Sequence, residues 1–306
     1  MWEGKRVSVI LPTYNEKNSI RKCILEFFAT GFVDEVIVVN NNAAEGTSDE
    51  VRGTGALEIF EKRQGYGWAC RKGLETATGD LLALCEPDGT FQPRDIHKLL
   101  VYSDDFEYVL GTRTTEEFIW AGANMGMFLK WGNWAVAKLM EFLFNCSIMT
   151  DVGCTLRLIT RSAYQRVRRA LSVGSSQFGP HLTLLVIRSG MPFTEISVHY
   201  RPRVGESAVT GNVWKAIGLG LRMISMILHF RLATAIGRFD DRKIVPYPEP
   251  VESPDLEPGR PEPRRLEPAR LAAAPLAQGA ERESAESEER GKSAEREESE
   301  ELELVP

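Results

Sequence analysis

Short runs of apolar residues alternate with stretches of helical periodicity, and this alternation limits the possible folds more than any other feature of the chain. The predicted strands are 7–11, 35–39, 57–60, 81–85 and 108–111. Helices are predicted between them, with Asn15 and the segment Thr47–Glu50 as N-terminal caps and Gly31 as a helix end. Strands that are apolar on both faces and separated by helices are typical of a mainly parallel sheet covered on both sides. The expected fold class is therefore α/β.

The charge is divided unevenly along the chain. From Pro246 to residue 306 the sequence has 17 acidic and 8 basic side chains, so the preceding residues carry about +3, although the whole chain carries −6. A segment of this composition buries too little apolar surface to offset its ordering entropy, so a disordered tail is expected over 246–306. The basic body suits an anionic substrate or a membrane surface, and no nucleic acid partner is expected.

The cysteines and the beginning of the sequence bear on the compartment. Five scattered cysteines without a C-x-x-C pair favour reduced thiols over a disulfide framework or a zinc site. The first residues lead almost at once into a strand pattern without a recognisable signal peptide. We therefore expect a cytoplasmic protein, with the cytosolic face of a membrane as a candidate position.

Two later segments change in character. Residues 118–144 are rich in Trp, Phe and Met, and residues 213–232 are amphipathic. The polar stripe of the second segment is Lys215, Gly218, Arg222, Ser225 and His229, opposite Ile217, Leu221, Ile224 and Leu228. Neither segment has an uninterrupted apolar run of the length that a membrane span requires. A helix at a membrane interface and a helix packed on its own domain both fit the pattern.

Two acids enclose a proline directly after the strand 81–85. Glu86 and Asp88 are two residues apart on an extended segment, because the residue before Pro87 avoids helical conformation, and so both should face one crevice. Like charges held this close repel unless a cation lies between them. Mg²⁺ or Mn²⁺ suits such a site, together with the phosphates of a substrate. The alternative is a solvated turn.

The resemblance to a known family extends from about residue 5 to residue 210. Seven segments occur in the family's order and spacing: VILPTYNE, VIVVNNN, GYGWACRKGLETATGD, EPDGTF, GTR, TDVGCTLRLITR and YRPRVGES. Together they resemble the family-2 glycosyltransferases, and most closely the dolichol- or polyprenyl-phosphate sugar synthases. The resemblance implies the GT-A fold, a Rossmann-like, mostly parallel sheet covered by helices. It also implies a D-x-D motif that holds a divalent cation.

The resemblance assigns roles to individual residues. The implied metal ligands are Glu86, Asp88 and Thr90. The implied nucleotide-sugar ligands are Pro12, Tyr14, Glu16, Asn40, Glu86 and Asp88. The implied ligands of an acceptor phosphate are Arg113, Lys130, Asn133, Arg157 and Arg203, and the implied catalytic residues are Asp88, Asp151, Arg113 and Arg203. The implied domain is a glycosyltransferase domain over 1–211, with a nucleotide-sugar half (1–112) and an acceptor half (113–211). The amphipathic pattern predicts a helix over 212–240 after it.

The chain departs from the family's pattern at three positions. Glu86 replaces the first acid of the D-x-D motif, Asn40 replaces an Asp that reads the base, and Ala208 replaces a Lys. An amide both donates and accepts, so the choice between a UDP- and a GDP-sugar stays open. Arg113 and Arg203 could also be surface cations, and Asp151 could cap the segment after it.

The expected reaction is an inverting, metal-dependent transfer of a sugar from a nucleoside diphosphate to a polyprenyl phosphate. An acceptor phosphate is mostly dianionic at neutral pH and needs no general base. Two alternatives stay open. A soluble hydroxyl acceptor would need a base, for which Asp151 is the candidate. A decayed enzyme would bind nucleotide sugar without turnover and present its acidic tail to partners.

Overall fold

The computed structural model describes residues 1–123, 127–205 and 213–248. Almost all of the acidic tail predicted over 246–306 lies outside the described residues, as do the side chains of 127–129, 213 and 215. Residues Met1–Glu249 form one compact unit. The two predicted halves, 1–112 and 113–211, both contribute strands to the one sheet of this unit.

A seven-stranded sheet forms the centre of the unit. Its strands are β1 (Val7–Thr13), β2 (Glu35–Asn40), β3 (Leu57–Phe60), β4 (Leu81–Leu84), β5 (Tyr108–Thr112), β6 (Arg157–Thr160) and β7 (Phe193–Ser197). They lie in the order β3-β2-β1-β4-β6-β5-β7, and β6 runs antiparallel to both of its neighbours. All other pairs are parallel. The mainly parallel sheet predicted from the sequence is therefore confirmed, and the carboxyl ends of β1, β2, β3 and β4 meet at one edge.

Helices cover both faces of the sheet. They are α1 (Lys17–Ala29), α2 (Thr47–Val51), α3 (Tyr66–Thr76), α4 (Ile96–Tyr102), α5 (Met127–Phe144), α6 (Arg161–Val167), α7 (Phe178–Arg188) and α8 (Val213–Ala235). One apolar core joins the sheet to α1, α2 and α4, and a second joins it to the remaining five helices. Two cores separated by a sheet explain why β1, β2 and β4 are apolar on both faces.

The two predicted helix caps are wrong, although the predicted helix end is right. The N-cap of α1 is Glu16, whose carboxylate accepts the backbone N–H groups of Tyr14 and Asn15 at 2.7 and 2.9 Å. α2 begins at Thr47 after Gly46, and the Thr47 hydroxyl donates backward to the carbonyl of Ala44 at 2.6 Å. In each case the polar side chain binds the loop before the helix. Gly31 follows α1 with a φ of +75°, as a glycine after a helix end commonly does.

The amphipathic segment forms helix α8, which packs on the domain through residues that belong to neither predicted stripe. Met223, Ile227 and Phe230 are buried, whereas Leu221 and Leu228 are exposed beside Arg222 and His229. Ala216–Ala235 is long and apolar enough, by length and composition, to cross a membrane (20 residues, mean hydropathy 1.4), and 17% of this stretch is buried against the protein. The exposed face of α8 is therefore mixed, with leucines next to cations.

His181 on α7 generates a prediction about pH. Burial lowers the pKa of His181 to about 4, and the ring packs edge-on against Phe230 of α8. The unfolded chain takes up a proton near pH 6.5, so this group should cost stability as the pH falls from about 6.5 to 4, by roughly 3 kcal/mol at the lower limit. We expect His181→Leu to flatten the pH dependence of the free energy of unfolding in this window. Urea unfolding from pH 4 to 7 tests this, with the exposed His229→Leu as control. Equal slopes for His181→Leu and the wild type would contradict it.

Candidate active site

Two acidic side chains converge directly after β4. Asp88 is 1% exposed, and its Oδ1 accepts hydrogen bonds from the backbone N–H of Thr90 at 2.9 Å and from the Thr90 hydroxyl at 2.6 Å. Gly89 makes this turn possible, because its φ is +82° and an added Cβ would lie 3.0 Å from Val204. The turn fixes the Asp88 carboxylate and leaves Oδ2 free to bind a second group.

Arg203 lies between the two acids. Its Nη2 is 3.0 Å from Glu86 Oε2 and 2.5 Å from Asp88 Oδ2. The geometry at Asp88 Oδ2 is not that of a hydrogen bond, so this buried oxygen has an ion-pair neighbour and no hydrogen-bond donor among the described residues. Both carboxylates therefore face one position, at which a cation is stabilised. The sequence predicted the convergence, but it placed Arg203 at the acceptor phosphate rather than on the acids.

The segment that carries Arg203 is attached to the acid turn by its backbone. The N–H of Arg201 donates to the carbonyl of Thr90 at 2.7 Å, and the N–H of Val204 donates to the carbonyl of Asp88 at 2.9 Å. Upstream, the buried Asp95 accepts the backbone N–H of His199 at 2.6 Å and pairs with its ring at 2.9 Å. These bonds hold Arg203 beside the acids.

The charges around the acids are unbalanced. Burial and the charge of Asp88 raise the pKa of Glu86 to about 7, whereas Arg203 lowers it. Glu16 and Arg113 lie close enough to act on the same group. At a pH above this value, where Glu86 is ionised, the cluster with the Arg113–Asp151 pair has four acids against two arginines. This net negative charge disfavours a diphosphate unless a divalent cation accompanies it.

The donor set fits a hard cation such as Mg²⁺ or Mn²⁺. Two carboxylates and the oxygen of the Thr90 hydroxyl lie at the site, and Asp88 Oδ2 lacks a hydrogen bond. Within the described part of the chain, no group of three His, Cys, Asp or Glu side chains is placed to hold a metal ion. These protein oxygens can bind a cation whose remaining ligands are phosphate oxygens of the substrate. They cannot supply the whole coordination shell.

Arg113 and Asp151 form a buried bidentate pair. Arg113 Nε and Nη2 donate to Asp151 Oδ2 and Oδ1 at 2.7 and 2.9 Å, and the side chains are 11% and 0% exposed. The Arg113 guanidinium also lies 5.1 Å from the ring centroid of Tyr200. Asp151 is therefore occupied in orienting Arg113. The predicted alternative role of Asp151 as a general base does not fit a carboxylate that is inaccessible and fully paired.

Helix α5 carries two of the predicted acceptor ligands, Asn133 and Lys130. Asn133 packs against Gly153, where an added Cβ would lie 2.5 Å from Asn133 Oδ1. Gly153 lies two residues after Asp151 in the sequence. Lys130, one turn before Asn133, pairs with Glu116 at 3.1 Å. The structure therefore places Asn133 against the loop that carries Asp151, and it places Lys130 beside the exposed Glu116.

Arg157 is in the wrong place for its predicted role as an acceptor ligand. It is 2% exposed, and its guanidinium donates to the Tyr108 hydroxyl at 2.9 Å and to the carbonyl of Cys154. Gly179 of α7 packs directly on it. Strand β6 directs this side chain into the core, which the sequence motif could not indicate. An acceptor cannot reach Arg157 in this conformation.

The predicted nucleotide ligands follow β1 and β2 at the same sheet edge. Pro12 is buried within β1, Tyr14 is exposed just beyond it, and the Glu16 carboxylate folds back onto the loop. Asn40 ends β2, and its amide bonds to Ser48 and Glu58. Sequence reasoning missed Ser48 and Glu58. Their contacts join elements distant in sequence, so no local motif marks them.

Comparison with known proteins identifies the family. The sequence model of "Glycosyl transferase family 2" matches residues 8–168, just over half of the chain. The chain therefore belongs to glycosyl transferase family 2 and is a glycosyltransferase.

Two relatives are named for hexosyl transfer. The chain is 26% identical over 207 residues to the low-salt glycan biosynthesis hexosyltransferase Agl6 of Haloferax volcanii, covering 66% of this chain and 49% of that protein. It is 23% identical over 227 residues to the dolichyl-phosphate hexose transferase of the same organism, covering 74% of this chain and 96% of that protein. The chain thus spans about half of Agl6 and nearly all of the second relative.

Solved structures share the fold. The glucosyl-3-phosphoglycerate synthase of Mycobacterium tuberculosis, in complex with Mn²⁺, UDP-glucose and phosphoglyceric acid, superposes with a TM-score of 0.59 at 17% identity. The match covers 74% of this chain and 80% of that chain. This likeness confirms the GT-A fold expected from the sequence.

The Arg113–Asp151 pair generates a prediction about stability. Asp151→Asn should lower the free energy of unfolding by about 3–5 kcal/mol, because it leaves the Arg113 charge buried without a partner. The double variant with Arg113→Met should lose less than the sum of the two single variants. Urea unfolding at neutral pH measures both effects. An Asp151→Asn protein as stable as the wild type would contradict the orienting role and would again allow a free, reactive Asp151.

Proposed function

We propose that the enzyme transfers a sugar from a nucleoside diphosphate sugar to a polyprenyl phosphate, with inversion at the anomeric carbon and with Mg²⁺ or Mn²⁺ as cofactor. The observation that carries the proposal is the convergence of Glu86 and Asp88 on one cation position, occupied here by Arg203 Nη2. A cation at this position lies at the sheet edge where ligands of mainly parallel sheets bind.

The cofactor would be held by Glu86, Asp88 and the oxygen of Thr90, together with oxygens of the diphosphate. A divalent ion there supplies charge neutralisation for the departing nucleoside diphosphate. The net negative charge of the cluster makes the cation necessary for donor binding itself. Arg203 supplies a further positive charge next to the same acids.

The donor's nucleoside is assigned to the ends of β1 and β2. Tyr14 offers an exposed ring, Glu16 has a fixed carboxylate, and Asn40 has an amide at the end of the neighbouring strand. Pro12 shapes the backbone within β1. The donor is a UDP- or a GDP-sugar.

The acceptor phosphate is assigned to Arg113, Asn133 and Lys130, with Arg203 on the donor side. Asp151 holds the Arg113 guanidinium in one orientation, which lowers the entropy lost when a phosphate binds. A phosphate oxygen attacks the anomeric carbon as the bond from that carbon to the diphosphate oxygen breaks. No proton has to be removed from a dianionic phosphate, which agrees with an Asp151 that is unavailable as a base.

The surface supports a lipid acceptor. α5 packs against α8, and Phe142 and Trp131 of α5 are 85% and 60% exposed. Leu228 and Leu232 are exposed on α8, near the exposed Arg231. Aromatic and apolar side chains mixed with cations favour contact with an anionic bilayer. The Haloferax relative named a dolichyl-phosphate hexose transferase supports the same acceptor class.

The direct test of the reaction uses Asp88→Asn. This change removes one negative charge and keeps the shape of the turn, so we expect at least a 100-fold loss of transfer to polyprenyl phosphate with little change in melting temperature. The assay is a screen of labelled nucleotide sugars with Mg²⁺ and Mn²⁺ tested separately. The released product should have the anomeric configuration opposite to that of the donor.

A matched control is Asp105→Asn, which alters an exposed acid just before β5, at the opposite edge of the sheet. It should transfer at the wild-type rate. Full activity of Asp88→Asn, or of the wild type after complete chelation, would contradict the role of the metal site. Transfer to a soluble hydroxyl compound and not to the lipid would assign another acceptor. Binding of nucleotide sugar without turnover would indicate a decayed enzyme.

Membrane contact is tested by cosedimentation with vesicles. The wild type should pellet with anionic vesicles and less with neutral ones, and Leu228→Glu/Leu232→Glu should pellet several-fold less, because it places charges on the exposed apolar face. The control, Leu25→Glu/Val101→Glu, introduces the same two charges on the exposed sides of α1 and α4, across the sheet. Absence of the wild type from both pellets would rule out the membrane contact.

A further inference from the structure

The side-chain amide of Asn40 has three polar neighbours at the end of β2. Nδ2 donates to Glu58 Oε1 at 3.0 Å and to Ser48 Oγ at 3.3 Å, and Oδ1 accepts the backbone N–H of Ala43 at 2.9 Å. Asn40 is 8% exposed, and Glu58 lies on the adjacent strand β3. The amide is therefore held at both ends.

The chemistry of these neighbours fixes which end is which. The Ala43 N–H can only donate, so it must face the carbonyl oxygen of Asn40. The Glu58 carboxylate can only accept, so it must face the amide nitrogen. Ser48 donates its own hydroxyl hydrogen to Glu58 Oε1 at 2.7 Å, so its oxygen receives the Asn40 hydrogen. Both amide hydrogens are thus engaged, and the remaining free capacity is the second lone pair of Oδ1.

We propose that Glu58 and Ser48 make Asn40 an obligate hydrogen-bond acceptor toward the nucleobase and so select the base of the donor. This rests on the proposed function, in which Asn40 contacts the base. A base with a ring N–H at the centre of its pairing edge, such as uracil at N3 or guanine at N1, satisfies Oδ1. Cytosine and adenine have an unprotonated ring nitrogen at this position. Two hydrogen-bond acceptors, this nitrogen and Asn40 Oδ1, would then face each other without a hydrogen between them. The donor is accordingly a uridine- or guanosine-type nucleoside diphosphate sugar.

The same contacts explain how Asn40 can replace the family's Asp. An Asp at position 40 would place a second carboxylate against Glu58 in a half-buried setting, which is unfavourable. In this chain Glu58 carries the negative charge. The side chain at position 40 keeps the hydrogen-bond acceptor that an Asp would offer, without its charge. Glu58 and Ser48 are thus positioning residues for base selection.

Calorimetric binding of UDP, GDP, CDP and ADP to the full chain with Mn²⁺ tests the inference. The wild type should bind UDP or GDP at least tenfold more tightly than both CDP and ADP. Glu58→Met removes the acceptor that holds one amide hydrogen, so this hydrogen becomes free to donate to a base. The preference should then fall by at least threefold, with circular dichroism confirming the fold. The control Glu45→Met, which alters an exposed acid in the loop after β2, should keep the full preference.

A rescue variant separates selection from mere structural support. Asn40→Asp/Glu58→Gln restores one carboxylate and one amide in exchanged positions, so position 40 again presents only acceptors. It should retain the wild-type preference, which keeps the inference testable if Glu58→Met does not fold. Equal binding of all four nucleotides by the wild type, an unchanged preference in Glu58→Met, or loss of preference in the double variant would overturn the inference. Failure of the wild type to bind any nucleoside diphosphate would instead contradict the proposed function.

Discussion

Repulsion between Glu86 and Asp88 is the interaction on which the site depends. Two carboxylates that face one position need a positive charge between them, and in this structure the charge is Arg203. In the proposed reaction, a divalent ion bound with a diphosphate would meet the same requirement. The site therefore stays balanced only when a cation is present. Arg203 stabilises both acids in this structure, and this position would also bring it next to the diphosphate of the proposed donor.

The sheet and its loops explain why the acids, the arginines and the Asn40 amide are found together. Parallel strands β1, β2 and β4 end at one edge, which brings Glu16, Asn40 and Glu86 into one region. Strand β6 runs antiparallel between β4 and β5, so the loop before it carries Asp151 to the end of β5, next to Arg113. The segment after β7 then returns over the acid turn through backbone bonds.

The sequence predicted the parallel sheet, the convergence of the two acids and the family. Apolar strands and short motifs determine these features locally. It could not predict that Arg157 points into the core, that Arg203 binds the acids or that Asp151 is occupied by Arg113. Each of these depends on which strands become neighbours. The sequence also left open whether α8 faces a membrane or its own domain, because the buried side of a helix is chosen by the partner against which it packs.

The central claim is that donor binding requires a divalent cation between Glu86 and Asp88. It is tested most directly by measuring UDP and GDP affinity of the wild type in Mn²⁺ and in excess chelator. The account predicts that the tighter of the two nucleotides binds at least 100-fold more weakly without the metal, because the uncompensated acids repel the diphosphate. Equal affinity under both conditions would contradict it.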